Sequence, residues 1–238
     1  MEKLLIIIPA WNEEEALPSV LEEIRHTEDL RADVIVVDDG SSDRTGDVAL
    51  EYGAEVLVLP INLGVGGAMR AGYVYAQRKG YDYAVQVDAD GQHRPKDILK
   101  LIQRMKDTKA SIVIGARFAG IGDYEVHGPR SWAMRVLSKR LSRVCHTKLT
   151  DTTSGFKLAD KTAIKLFSRE LPAEYLGDTI EALVIAAGAG LKIDQEAVEM
   201  RERQAGEPSH GPIVAALFLF RALVAMAVAG HRRAEGAD

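Results

Sequence analysis

Two carboxylates spaced one residue apart, Asp88 and Asp90, stand where an apolar run ends, and their chemistry is that of a cation site. The stretch reads Tyr83-Ala-Val-Gln-Val-Asp88-Ala-Asp90-Gly-Gln92-His-Arg-Pro95. Ala84 to Val87 has the make-up of a strand, and alternate residues of an extended chain point to one side, so Asp88 and Asp90 are expected to face a common point. That point would lie past the carboxyl end of a strand, where open α/β sheets place ligands. Hard oxygen donors there suit Mg²⁺ or Mn²⁺ with a diphosphate, because such ions take one or two carboxylates plus substrate phosphates. The plainer alternative is a strand-ending turn whose carboxylates cap the helix that Pro95 can open.

The elements that must position this pair follow from hydrophobic patterning. Lys3 to Ile8 reads as a buried strand stopped by Pro9. Pro9-Ala10-Trp11-Asn12-Glu13 is a turn, and a helix is expected from about Glu14 to about His26. Asp33 to Val37 is a second strand, ending at Asp38-Asp39-Gly40, with Ser42 placed to cap the next helix and Asp43 in its first turn. Glu55 to Leu59 is a third strand, and Asn62-Leu-Gly64-Val-Gly66-Gly67 opens a helix towards Gly80. A helix near Asp97 to Met105 and a strand at Ser111 to Gly115 come next. Alternating strands and helices predict an α/β fold, a mostly parallel open sheet with helices on both faces. The glycine cluster is a poor dinucleotide fingerprint, since its spacing is incomplete and it follows the third strand rather than the first.

Composition narrows the class. The chain has 238 residues, 47% hydrophobic and 27% charged, enough for one large domain or a domain with an appendage. A net charge of -5 argues against nucleic-acid binding, which favours basic domains. Cys145 is the only cysteine, which excludes an intrachain disulfide or a cysteine metal cluster and fits a reducing compartment. Leu4 to Pro9 is too short for a signal peptide and an acidic run follows it, so none is expected.

Four motifs come in a familiar order: Pro9-Ala-Trp-Asn-Glu13, Val36-Val-Asp38-Asp39-Gly-Ser-Ser-Asp-Arg-Thr45, Asn62-x-Gly64 with Gly72, and Val87-Asp88-Ala-Asp90-Gly-Gln-His93. In order and spacing they resemble family 2 glycosyltransferases of the GT-A fold. The Asp-Ala-Asp-Gly-Gln-His form is similar to the polyprenyl-phosphate branch, that of dolichyl-phosphate mannose synthases and bacterial relatives. The resemblance implies a Rossmann-like nucleotide-binding half joined to an acceptor half. It places Pro9, Ala10 and Glu13 in the nucleoside pocket and Asp39 against the base. It gives Asp88 and Asp90 to the metal and diphosphate, and Gln92 to a further metal position. The residues alone leave Asp39 and Glu13 open to turn-forming and helix-end roles.

The resemblance continues beyond the nucleotide half. Arg117, in Gly115-Ala-Arg-Phe118, falls where the branch faces the acceptor phosphate, and Arg130 falls near its second such arginine. Thr150-Asp-Thr-Thr-Ser154-Gly-Phe-Lys157 matches an acceptor-side motif containing Ser154, with Lys157 in place of an arginine, so the bidentate fork is lost there. Asp178 matches the acidic residue near the acceptor; it would be the base for a hydroxyl acceptor and would only position an acceptor that is already anionic. Arg201 and Arg203 are the candidates for the diphosphate. From about Pro129 to His146, Arg135, Lys139, Arg143 and His146 fall on one helical side, as at an anionic membrane surface or simply a solvated face.

Residues 212–230 are apolar except Arg221, whose charge disfavours a membrane span. A packed or interfacial helix, with a homodimer or membrane partner as its occupant, is expected there. The domain reading is therefore 1–210 for the transferase and 211–238 for an apolar helix and polar tail. The expected activity is inverting, metal-dependent transfer of a sugar from a UDP- or GDP-type donor to a polyprenyl phosphate, at the cytoplasmic membrane face. Transfer to a saccharide or small-molecule hydroxyl is the alternative, and a nucleotide-sugar-binding module without turnover is another. A nucleotidyltransferase would begin with a glycine-rich, basic phosphate loop, which Pro9 to Glu13 is not.

Overall fold

The computed structural model describes residues 2–117, 138–143, 145, 147–173 and 177–201. Its strands are β1 (Leu4–Ala10), β2 (Asp33–Asp38), β3 (Glu55–Val58), β4 (Tyr83–Gln86), β5 (Ile112–Ala116), β6 (Lys157–Asp160) and β7 (Ile193–Ala197). Its helices are α1 (Leu17–His26), α2 (Thr45–Glu51), α3 (Gly64–Lys79), α4 (Asp97–Thr108), α5 (Lys161–Glu170) and α6 (Ala182–Gly188), the last continuing a wide turn at Gly177–Glu181. The strands form one sheet in the order β3-β2-β1-β4-β6-β5-β7.

Leu4 to Ile8 is uniformly apolar because both faces of β1 are covered. Leu5 and Ile7 enter the core under α3, α5 and α6, with Met69, Tyr73, Phe167 and Leu183. Leu4, Ile6 and Ile8 enter the opposite core with Leu17, Val20, Val48 and Leu101 of α1, α2 and α4. Gly72 of α3 makes the first packing possible, since a Cβ there would stand 2.4 Å from Ile7 Cγ2.

All strand pairs are parallel except those of β6, which runs antiparallel between β4 and β5. The carboxyl ends of β1, β2, β4, β5 and β7 therefore share one edge, and β6 starts from that edge. Everything entering or leaving there is drawn to one place.

Several boundaries differ from expectation for identifiable reasons. α1 begins at Leu17 rather than near Glu14, with Pro18 in its first turn. The acidic residues before it are used by a neighbouring loop, as described below. Ser42 does not cap α2; the helix starts at Thr45, whose N–H donates to Asp43 Oδ1 at 2.9 Å. β4 ends at Gln86, so Asp88 and Asp90 lie on a turn past the strand, with Gly91 at φ 76°. Strand alternation thus does not place that pair.

Of the expected basic helix, residues 138–143 are described and are helical, with Leu141 buried and Lys139, Arg140 and Arg143 exposed. Residues 212–230 lie outside the described residues. Among the described residues, no helix is long and apolar enough to cross a membrane.

Candidate active site

Two loops at the carboxyl edge are stitched to each other. After β2, Asp39 N–H donates to Ala10 O at 2.8 Å. Asn12, in the left-handed region at φ 54°, donates its N–H to Ser41 Oγ at 3.0 Å and accepts from Ser42 N–H at 2.8 Å. Glu13 N–H donates to Thr45 Oγ1 at 2.9 Å and Glu14 N–H to Asp43 Oδ2 at 3.1 Å. Arg44 N–H returns to Glu14 Oε2 at 3.0 Å. These exchanges hold the acidic run out of α1 and fix the shape of the edge.

Asp39 ties in a third loop. Its carboxylate is buried, and Oδ1 accepts from Leu63 N–H at 2.7 Å. Burial pushes its carboxyl above the ordinary carboxylate value, against the pull of the Leu63 and Gly64 N–H groups. Gly40 lets the loops meet: it sits at φ 72°, and a Cβ would stand 3.0 Å from Ile61 C and Asn62 N. Half-buried Pro9 and Glu13 and buried Ala10 complete this corner.

Asp88 and Asp90 follow β4 at the same edge and are held differently. Asp88 keeps a third of its side chain exposed, whereas Asp90 is buried. Gln92 N–H donates to Asp90 Oδ1 at 3.0 Å, closing the turn. Asp88 Oδ1 accepts from Gln86 Nε2 at 2.9 Å. Asp88 N–H donates to His93 Nδ1 at 3.0 Å, which puts the imidazole proton on Nε2, 3.6 Å from Asp88 Oδ2. One buried ring thus faces both the backbone and the carboxylate of Asp88.

That ring is wedged from behind. Phe156 stacks on His93 at 4.9 Å between centroids and 20° between planes. Gly155 leaves the room Gln86 needs; a Cβ there would stand 2.6 Å from Gln86 Nε2 and 3.3 Å from Asp88 Oδ1. The Ser154-Gly155-Phe156 segment, expected to shape the acceptor side, therefore also backs the Asp88 carboxylate. Gln86, Gly155 and Phe156 were not assigned this role from sequence. The signal for it was the polar Gln86 inside an otherwise apolar strand.

The donor set fits a hard divalent cation. Asp88 and Asp90 supply carboxylate oxygens, and Gln92 carries an amide oxygen on the same turn. Among the described residues, no three His, Cys, Asp or Glu side chains gather into a metal-holding group. The arrangement suits an ion completed by substrate phosphates and water, as Mg²⁺ and Mn²⁺ usually are, rather than a closed protein cage.

Past β5, Arg117 is already engaged. Its Nε donates to Asp151 Oδ2 at 2.7 Å, and Nη2 donates to Asp151 Oδ1 at 3.2 Å and Thr153 Oγ1 at 3.1 Å. Asp151 is completely buried. Burial pushes its carboxyl up, but the Arg117 bonds and charge outweigh this and hold it below the ordinary value. Ser154 is buried nearby in sequence, and Lys157 Nζ, also buried, donates to Ser154 O at 2.7 Å. Lys157 thus braces the turn into β6.

Arg201, one of the two diphosphate candidates, pairs with a carboxylate of the chain. Its guanidinium is taken by Glu23 of α1, with Nη1 to Oε2 at 2.8 Å and Nη2 to Oε1 at 2.7 Å. Arg130 and Arg203 lie outside the described residues, as does the side chain of Asp178, whose backbone belongs to the turn Gly177–Glu181. A cavity of about 600 Å³ lined by Lys3, Arg25, Ala32 and Ala54 opens at the amino ends of β1 and β2, the edge of the sheet opposite Asp39, Asp88 and Asp90.

The pattern that defines glycosyl transferase family 2 matches residues 5–167. The undecaprenyl-phosphate mannosyltransferase of Micrococcus luteus is 32% identical over 216 residues, covering 86% of each chain. The UDP-N-acetylglucosamine–dolichyl-phosphate N-acetylglucosaminyltransferase of Methanococcus voltae is 31% identical, covering 82% of this chain and 84% of that one. Glucosyl-3-phosphoglycerate synthase of Mycobacterium tuberculosis, solved with Mn²⁺ and UDP-glucose, superposes with a TM-score of 0.66 at 18% identity, covering 96% of this chain and 78% of that chain. The likeness of fold is to GT-A glycosyltransferases, as the sequence motifs implied.

Proposed function

The chain belongs to glycosyl transferase family 2, and we propose that it moves a sugar from a nucleoside diphosphate sugar to the phosphate of a polyprenyl phosphate. The observation that carries this reading is the Asp88–Asp90 turn set beside the stitched loops of Asp39 at one sheet edge. The names of the relatives supply the acceptor class, since two of similar length act on undecaprenyl and dolichyl phosphate.

Pro9, Ala10 and Glu13 line the nucleoside, and the Asp39 carboxylate accepts from a base N–H. Asp88, Asp90 and Gln92 would hold Mg²⁺ or Mn²⁺. When bound, that ion supplies positive charge against the departing diphosphate. The remaining work falls to the chain's own residues. The buried Asp90 and the braced Asp88 present fixed oxygens, so little reorganisation is needed as charge develops.

An oxygen of the acceptor phosphate attacks the anomeric carbon as the bond to the diphosphate oxygen breaks, inverting that carbon. The acceptor is already anionic, so no proton has to be removed, and Asp178 positions rather than deprotonates. Arg117, Arg130 and Ser154 are assigned to the acceptor phosphate, and Arg203 to the diphosphate. Exposed Lys139, Arg140 and Arg143 around buried Leu141 support peripheral contact with the anionic cytoplasmic face of a membrane. The segment 212–230 would supply a further membrane or dimer contact.

The donor side is tested by binding. UDP, GDP, CDP and TDP are titrated with and without Mn²⁺, against wild type and Asp39→Ala. One nucleotide should bind best and tighten with Mn²⁺, and Asp39→Ala should weaken diphosphate and free nucleoside alike. Unchanged nucleoside affinity in Asp39→Ala would remove Asp39 from the pocket.

A further inference from the structure

Val198–Arg201 is a strap laid along the outside of the carboxylate turn. Val198 N–H donates to Ala116 O at 3.2 Å, and Glu199 pairs with Arg94. Arg201 N–H donates to Gln92 O at 3.1 Å, and Gln92 Nε2 returns to Arg201 O at 3.4 Å. Gln92 N–H in turn donates to Asp90 Oδ1. At the far end Glu23 grips the Arg201 guanidinium with both oxygens. The result is an unbroken path from α1 to the buried carboxylate: Glu23, Arg201, Gln92, Asp90.

A guanidinium edge engaged by a carboxylate in this two-bond fork is not presented to a diphosphate at the same time. We propose that Arg201 is a positioning residue, anchored by Glu23, which holds the strap on Gln92 and thereby fixes Asp90 for its cation. The pair lies partly in solvent, and a partly exposed ion pair contributes little to global stability. Its value here is local, because what it restrains is the turn that carries the site. The cation at Asp90, and with it the choice of Mn²⁺ as probe, rests on the functional reading above.

The test compares Glu23→Gln, Arg201→Gln and the swapped pair Glu23→Arg/Arg201→Glu with wild type. Two readouts are taken without acceptor: Mn²⁺ affinity in the presence of the preferred nucleoside diphosphate, and hydrogen exchange at the Gln92 and Arg201 amides. Each single change should weaken Mn²⁺ about tenfold, the usual effect of losing an outer support of a metal ligand. Each should also speed exchange at both amides, and the swap should recover a large part of both. Nucleoside affinity without metal should stay constant.

If Glu23→Gln leaves both readouts at wild-type values, the inference is wrong. It is equally overturned if Arg201→Gln removes diphosphate binding while Glu23→Gln is silent, since Arg201 would then contact the ligand itself. Should wild type bind no Mn²⁺ while Glu23→Gln still speeds exchange, the positioning role stands and the cation reading of the site falls.

Discussion

At the residue scale, the site is a pair of unlike carboxylates. Asp90 is buried on its turn, and Asp88 is clasped between Gln86 and His93. Gly155→Ala tests the clasp, because its Cβ would displace Gln86 Nε2 from 2.6 Å. Mn²⁺ affinity should fall about tenfold while nucleoside binding is kept, measured by titration calorimetry; unchanged Mn²⁺ affinity would show that Gln86 does not matter to Asp88. Arg117 raises a separate point. Removing it strips buried Asp151 of its partner, at about 3 kcal/mol, the low end for a broken buried pair because Arg117 is a third exposed. Loss of activity in Arg117→Ala would therefore mix folding with the proposed acceptor contact. The pH dependence separates them. Asp151 has its folded carboxyl held below the ordinary value, so the pair's stabilisation is full above that value and disappears as pH falls through the lowered one. The stability gap between wild type and Asp151→Asn, measured by urea melts from pH 7 downward, should be constant near neutrality and close only in acid. A gap that instead widens in acid would contradict the pairing. The motif carboxylates could be read from sequence because their neighbours are local. Asp151 with Arg117, and Glu23 with Arg201, could not, because each pair is joined only by the fold.

At the element scale, the site depends on where strands stop. The two-sided burial of β1 and the strand–helix alternation were legible as apolar runs between turn residues, and the sheet follows from them. The start of α1 was misjudged because helix-forming acids were claimed by loop partners from Asp43 and Arg44. The antiparallel insertion of β6 had no sequence signal, yet it brings Gly155 and Phe156 behind Asp88. α3 shows the tolerance of this architecture. Gly72→Ala would drive a methyl into Ile7 at 2.4 Å, and overpacking of this kind costs about 1–3 kcal/mol. Thermal melts should show a clear loss of stability, and Ile7→Ala, which removes the Cγ2 atom met by the new methyl, should cost less in the Gly72→Ala background than alone. A Gly72→Ala protein as stable as wild type would mean α3 is not pinned to β1 by this contact.

At the scale of the whole molecule, a GT-A glycosyltransferase gathers its chemistry at one sheet edge. The loops proposed to take the nucleoside leave β1 and β2, the carboxylates leave β4, Arg117 leaves β5, and the strap leaves β7. Order and spacing of four motifs made this family legible, since all but the core glycine Gly72 sit at or run into that edge. The direct measurement is transfer of labelled sugar from the preferred nucleoside diphosphate donor into a short-chain polyprenyl phosphate, with a soluble hydroxyl acceptor present as competitor. Wild type with Mn²⁺ or Mg²⁺ should put the label into the polyprenyl phosphate with inverted anomeric configuration. Chelation should stop it, and Asp90→Asn, folded by its melt, should retain less than about a hundredth of the rate, as expected when a charged group at a developing charge is removed. Label appearing only in the soluble hydroxyl acceptor, or full activity of Asp90→Asn with divalent ion present, would contradict the account.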